Sequence, residues 1–234
     1  MIPIKTESAW RGTSDCRNCG IREMVLFADL NEDDFNLIHA PIDDLVYQSG
    51  QPLYEELDKA LGIFTLRKGM VKLVRVTADG RERVVRVLFP GDVVGLEALA
   101  TGRYDSQAVA LSEVSLCRIP LDVIHQLGAN SPRLHRKLME KWQSALKLAD
   151  DWLAELNFGS AQQRVHHFIR KMHEVSGDGT ATLFGRDDMG AMMDLKLETV
   201  SREVSALVRS DVIRPLDKLG RHYEVVRPEL LEQR

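Results

Sequence analysis

The stretch that most constrains this chain is residues 130–158, NSPRLHRKLMEKWQSALKLADDWLAELNF. Asn130 and Ser131 are cap candidates, and Pro132 suits the first turn of a helix. Leu138, Trp142, Ala145, Ala149, Trp152 and Leu156 then follow at intervals of 4, 3, 4, 3 and 4, a heptad seam. A second apolar stripe, Met139, Leu146 and Leu153, runs one position along. A helix of this length reaches roughly 40 Å, and two stripes give it two surfaces to cover. The spacing predicts that one packs on the helix's own domain and the seam packs on a second copy. A helix buried within one domain is the alternative. Either way, the helix divides the chain.

Before it the pattern is strand-like, from about Gly62 to Ile119. Two β-branched runs, Val71–Thr77 and Arg83–Phe89, flank Asp79-Gly80, a strong hairpin turn pair. Lys72, Arg75, Arg83 and Arg86 interrupt the apolar residues, as a sheet with one wet face requires. Short strands are also expected at Ala108–Leu111 and Val114–Ile119. Such strands, punctuated by Gly and Asp, indicate a small β-roll or barrel.

After it, Gly159-Ser160 breaks the run and AQQRVHHFIRKMHEV resumes as a helix, while SGDGTA reads as a loop. In RDDMGAMMDLKLETVSREVSALVRSDVI a first helix near Asp187–Met193 ends at Asp194-Leu195-Lys196. A second runs from about Leu197 to Arg209, the helix-turn-helix spacing. The tail VIRPLDKLGRHYEVV reads as two short strands around Lys218-Leu219-Gly220, the parts of a winged helix-turn-helix. Met189, Met193, Leu195, Val200, Val204 and Leu207 supply its core.

On the second helix Glu198, Ser201, Arg202 and Ser205 fall at i, i+3, i+4 and i+7, opposite the apolar stripe. These types suit the major groove: Arg can donate two bonds to guanine, Glu can accept from the cytosine amino group, and Ser can do either. Glu198 and Arg202 are also spaced for a solvated i,i+4 pair. Thr199 is a further DNA-binding candidate, and Lys196, Arg202, Arg209, Lys218 and Arg221 are candidates for phosphate contact. Bulk charge does not advertise such a partner. Residues 160–234 hold 12 Lys/Arg and 12 Asp/Glu, leaving 19 and 23 before them. Nucleic-acid binding must rest on local placement of charge.

No apolar run approaches the roughly 20 residues that span a bilayer, and MIPIKTESAW lacks the build of a signal peptide. A cytoplasmic location is expected. No P-loop, G-x-G-x-x-G or nucleophile elbow appears, so an enzyme is not expected. The chain has three cysteines, of which Cys16 and Cys19 lie three apart. An odd number in a reducing compartment argues against a structural disulfide framework.

The order of β-roll, long seam helix and winged helix-turn-helix resembles the CRP/FNR family of bacterial transcription regulators over nearly the full chain. The matching pieces are FPGDVVGLEAL in the roll, FGSAQQRVHHFI after the long helix and LETVSR on the second helix. The E-x-x-S-R pattern resembles the FNR branch, the fumarate and nitrate reduction regulator. The resemblance implies an α+β protein with a cysteine-containing segment at 1–29 and a cyclic-nucleotide-binding-like sensor roll at 30–129. A dimerisation helix at 130–158 and a DNA-binding domain at 159–234 complete it. Implied partners are double-stranded DNA, a second copy and RNA polymerase. The implied half-site is TTGAT-like and palindromic, with Arg202 on the G, Glu198 on the paired C and Ser201 on a neighbouring T. Asp194 departs from the Gly usual in the turn.

Where cyclic-nucleotide binders of the family have Arg-Ser, this chain has Asp105-Ser106, with Arg103 out of register. A carboxylate facing a phosphate is costly, so a cyclic nucleotide is not expected. The FNR branch holds a [4Fe–4S] cluster on four cysteines, and Cys16, Cys19 and Cys117 match three of these places. The remaining place is Val25, or Phe27 for the longer spacing found in some relatives. Four readings stay open. A cluster could use an oxygen ligand from Asp15, Glu23 or Asp29, or an exogenous thiol. Alternatively the thiols form a redox switch, haem or another small ligand sits in the roll with His39 or His125, or the cysteines carry no signal.

Overall fold

The protein is seen in a computed structural model that describes residues 24–35, 38 and 40–232. They fall into two compact units. One runs to Arg75 and resumes at Val85–Lys147; the other takes Val76–Val84 and Leu148–Arg234.

The chain begins with α1 (Glu32–Phe35), β1 (Asp43–Tyr47), β2 (Pro52–Tyr54), β3 (Gly62–Lys68), β4 (Val71–Val76) and β5 (Glu82–Leu88). It continues through β6 (Val93–Val94), α2 (Ala98–Thr101), β7 (Gln107–Ala110), β8 (Val114–Pro120), α3 (Leu121–Asn130) and α4 (Pro132–Leu156). The strands form two four-stranded sheets, ordered β1-β8-β3-β6 and β2-β7-β4-β5. Leu66, Val71, Leu73, Ala108, Val114 and Leu116 fill the space between the sheets. The Asp79-Gly80 turn forms as read, with Gly80 at φ 81° and the Thr77 N–H donating to the Arg81 carbonyl. Each flanking strand ends one residue earlier than expected. Phe89 leaves β5 because its N–H donates to the Asp92 carboxylate in the next turn.

A second core joins Leu26, Phe27 and Leu30 to Ile119, Ile124, Leu127, Leu134 and Leu138. Three basic residues one helical turn apart on α4 reinforce it. Arg133 Nε lies 2.8 Å from Asp34 Oδ2 and Lys137 Nζ 3.5 Å from Asp29 Oδ2. Lys141 Nζ donates to the carbonyls of Met24 (2.9 Å) and Gly91 (2.7 Å). The Ser131 hydroxyl accepts from the Leu134 N–H and so starts α4, as its sequence position predicts.

After α4 come α5 (Ala161–Ser176), β9 (Thr180–Thr182), α6 (Arg186–Met193), α7 (Leu197–Arg209), β10 (Ile213–Pro215) and β11 (His222–Val225). A 3-10 turn follows at Pro228–Leu231. Ser160 and Gln163 form a capping box at the start of α5, which buries Val165, Phe168, Ile169 and Met172. The segment read as a loop through Ala181 is shorter than that. The Asp178 carboxylate accepts from the Thr180 N–H and hydroxyl, and Thr180–Thr182 then pairs antiparallel with β11. The wing is therefore a three-stranded sheet, β10-β11-β9. Its third strand is too short to leave a periodic signal.

Candidate nucleic-acid interface

Helix α6 is short because the residue that follows it, Asp194 at the C-cap, takes a left-handed conformation (φ 54°, ψ 47°). Asp tolerates this region better than most side chains. The departure from Gly noted in the sequence therefore leaves the turn intact. The Leu195 N–H donates to the Gly190 carbonyl at 3.0 Å. A Cβ on Gly190 would lie 2.5 Å from the Leu195 carbonyl oxygen. Gly190 thus permits the close approach that closes the turn, a role sequence reading did not assign it.

Helix α7 spans the residues expected of it, Leu197–Arg209. Val200, Val204 and Leu207 are buried against the unit. Glu198, Arg202, Ser205 and Arg209 are exposed, Thr199 and Ser201 half-buried, and Lys196 is exposed at the N-cap position. The Glu198–Arg202 pair that the spacing also allows is not the contact Arg202 makes. Its Nε instead donates to Glu203 Oε1 at 3.3 Å, and the side chain stays 67% exposed.

Beside α7 the β10–β11 wing carries Lys218 and Arg221, both exposed. The Asp217 carboxylate accepts from the Arg221 and His222 N–H groups. The Arg221 bond is the main reason its carboxyl sits below the ordinary range. Arg186 ties the wing to α6 through Tyr223 Oη (2.9 Å) and the Gly220 carbonyl (3.3 Å).

The residues assigned to the dimer seam divide into two sets. Leu138, Trp152 and Leu156 are buried by the chain itself, and Ala145 packs against the N-terminal core. Ala149 is half-buried. Trp142 remains 38% exposed, with Met139 at 51%, Leu146 at 64% and Leu153 at 58%. The uncovered apolar face is therefore the neighbouring stripe, Met139, Leu146 and Leu153, together with Trp142 from the seam. A helix whose two stripes adjoin shows the same periodicity whichever one faces inward.

Among the signal candidates, Asp15, Cys16, Cys19, Glu23 and His39 lie outside the described residues. Cys117 lies on β8 and is 8% exposed. Its Sγ donates to Asp44 Oδ1 at 3.4 Å and accepts from Arg67 Nη1 at 3.9 Å, while Arg67 and Asp44 pair at 2.8 Å. Val25 is half-buried, Phe27 is core, and Asp29 pairs with Lys137. Among the described residues no three His, Cys, Asp or Glu side chains converge to hold a metal ion. They therefore do not by themselves fit a cluster that takes four ligands. His125 is exposed on α3. In the stretch where a cyclic phosphate would sit, Asp105 is exposed and Arg103 Nη1 donates to the Leu57 carbonyl at 2.6 Å. No described helix is long and apolar enough to cross a membrane.

Residues 44–131 match the cyclic nucleotide-binding domain family and residues 163–234 the Crp-like helix-turn-helix domain family. The fumarate and nitrate reduction regulatory protein of Yersinia pestis is 26% identical over 225 residues, covering 93% of this chain and 89% of the relative. The regulatory protein HlyX of Actinobacillus pleuropneumoniae is 24% identical over 87% of this chain and 88% of its own length. In fold, FixK2 from Bradyrhizobium japonicum superposes with a TM-score of 0.74 at 24% identity, over 82% of this chain and 96% of that one.

Proposed function

Because this chain belongs to the CRP/FNR family of transcription regulators, we propose that it acts as a homodimer reading a TTGAT-like palindrome under the control of cellular redox state. The observation that carries the DNA reading is α7: Glu198, Arg202 and Ser205 exposed, with Ser201 half-buried beside them, while Val200, Val204 and Leu207 fix the helix to its unit. Such a helix enters the major groove with its N-terminal residues at the base edges. Arg202 reads guanine through two parallel bonds, Glu198 accepts from the cytosine amino group of the same pair, and Ser201 contacts the neighbouring thymine. Thr199, Ser205 and Arg209 extend the interface along the helix. Lys196, Lys218 and Arg221 neutralise phosphates, so binding weakens steeply with salt.

Two copies associate through the exposed stripe of α4, which spaces their recognition helices about one DNA turn apart. The assembly then recruits RNA polymerase. The signal is oxygen, nitric oxide or another oxidant entering through Cys16, Cys19 and Cys117. The names of the relatives support this reading, as does the place of Cys117 in the core that also holds Leu26 and Phe27. Among the described residues the one thiol, Cys117, is engaged by Asp44 and Arg67.

Fluorescence anisotropy with a duplex bearing two inverted TTGAT half-sites, against a scrambled duplex, tests the DNA reading. Tight binding to the palindrome that Arg202→Ala removes without loss of fold is expected; equal affinity for both duplexes rules it out. Iron and acid-labile sulfide on protein purified without oxygen test the signal. About four of each per chain, with a visible band that bleaches in air, means a cluster. Near-zero iron with oxidant-dependent binding means a thiol switch.

A further inference from the structure

Two arginines that the proposed function does not use, Arg83 and Arg164, make parallel contacts. Arg83, on the hairpin whose tip Val76–Val84 groups with the C-terminal unit, donates Nη2 to Asn157 Oδ1 at 3.4 Å and pairs through Nη1 with Asp194 Oδ1. Arg164, on α5, donates Nε to the Gly159 carbonyl at 3.2 Å and Nη1 to the Met193 carbonyl at 2.8 Å. Each therefore holds one bond in the connection after α4 (Asn157, Gly159) and one in the turn of the helix-turn-helix (Met193, Asp194). Both anchoring places are left-handed, Gly159 at φ 86° and Asp194 at φ 54°. They are the points where the chain direction between α4, α5 and α7 is set.

We propose that Arg83 and Arg164 form a clamp of positioning residues that fixes the recognition helix relative to the end of α4 and so sets the half-site spacing the dimer accepts. The inference rests on the dimeric DNA-binding reading above. Neither arginine needs to touch DNA. A planar guanidinium presents donors in a fixed fork, so one side chain can join two backbone segments at a defined separation, which a single-point contact cannot do. Arg164 uses carbonyls alone and is independent of the side chains opposite it. Arg83 depends on a carboxylate at Asp194, and this gives the departure from Gly in the turn a purpose: Gly would keep the backbone and lose the anchor. In this pair the Arg83 side chain is 27% exposed and that of Asp194 59%, so its contribution is positional more than energetic.

The test compares two probes by anisotropy: a duplex with two inverted TTGAT half-sites about one turn apart, and a duplex with a single half-site. Palindromes lengthened and shortened by one base pair complete the set. The variants are Arg83→Met, Arg164→Met, Asp194→Gly, Arg83→Lys and the Arg83→Met/Asp194→Gly double variant, each checked by thermal unfolding. Arg83→Met is expected to weaken palindrome binding about tenfold, to leave single half-site affinity unchanged and to flatten the dependence on spacing. Asp194→Gly should match it on the palindrome, and the double variant should lose no more than either single one, because both remove the same contact. Arg83→Lys, which keeps the charge without the fork, should fall between. Arg164→Met should broaden the spacing dependence in the same direction.

A fall of equal size on palindrome and half-site would mean damage to the DNA-binding unit itself and would overturn the clamp. Additive losses in the double variant, or unchanged spacing preference in both arginine variants, would overturn it too. If the unaltered protein binds the palindrome no better than the single half-site, the dimeric reading fails and the clamp fails with it.

Discussion

Replacing Leu146 by Ala separates the two stripes of α4. Leu146 is 64% exposed, so in one chain it contributes little to folding. Leu→Ala removes about 2.4 kcal/mol of apolar transfer when the side chain is fully buried. Scaled by the exposed fraction, the loss on association is about 1.5 kcal/mol per protomer. A two-fold interface uses each residue twice, giving about 3 kcal/mol, roughly a hundredfold in the dimer dissociation constant. Sedimentation equilibrium measures that constant, and thermal unfolding at low concentration measures the monomer. Leu138→Ala is the counterpart. Leu138 is 9% exposed and packed in the N-terminal core, so its truncation should destabilise the fold by about 2–5 kcal/mol. The reasoning is refuted if Leu146→Ala leaves the dimer constant unchanged while folded Leu138→Ala protein dissociates.

Other expectations follow from single contacts. Gly190→Ala should destabilise the C-terminal unit by about 1–3 kcal/mol, because its Cβ meets the Leu195 carbonyl; hydrogen exchange across α6 and α7, faster than in the parent, checks this. Arg202→Ala should relax discrimination at the guanine position by about 1–3 kcal/mol with an unchanged Tm, read from binding to the four base substitutions there. Burial by itself would raise the Asp34 carboxyl, but the Arg133 guanidinium, the Asn31 N–H and Ser131 outweigh it and hold it below its ordinary value. A depressed folded value gives stability that is full above the unfolded value near pH 4 and fades as the pH falls through the folded one. Asp34→Asn should therefore cost about 1 kcal/mol at neutral pH and converge with the parent in denaturant melts below pH 4. Cys117→Ser places a stronger hydrogen-bonding group beside Asp44 and Arg67; the redox reading expects it to abolish oxidant sensitivity in DNA binding, and an undiminished response would remove Cys117 from the signal.

Much of this was legible because it is local. The Asp79-Gly80 hairpin, the Ser131 cap, the three-residue turn and the full span of α7 each rest on residues within a few positions of one another. Backbone conformation and helix periodicity act at that range. Part of what went unread depends on distant partners, and part on a choice between near-equal local ones. The strand Thr180–Thr182 exists through pairing with β11, 40 residues on in the register. Arg202 turned to Glu203 rather than Glu198, since on an exposed face the cost of choosing between two carboxylates is small.

The candidate site shows the same division. From the sequence alone came the helix-turn-helix spacing, the span of its second helix and the stripe that helix buries, and the presence of two apolar stripes on α4. Periodicity states that a face is apolar, and it does not state what covers that face. Tertiary structure decided that Leu138, Trp152 and Leu156 face inward and Met139, Trp142, Leu146 and Leu153 remain uncovered, because burial depends on what packs alongside. It also decided that Cys117 meets Asp44 and Arg67, and that Arg83 and Arg164 converge on one turn. Residues 73 and 111 positions apart, Cys117 from Asp44 and Arg83 from Asp194, share no local signal, and only the folded chain brings their side chains within bonding distance.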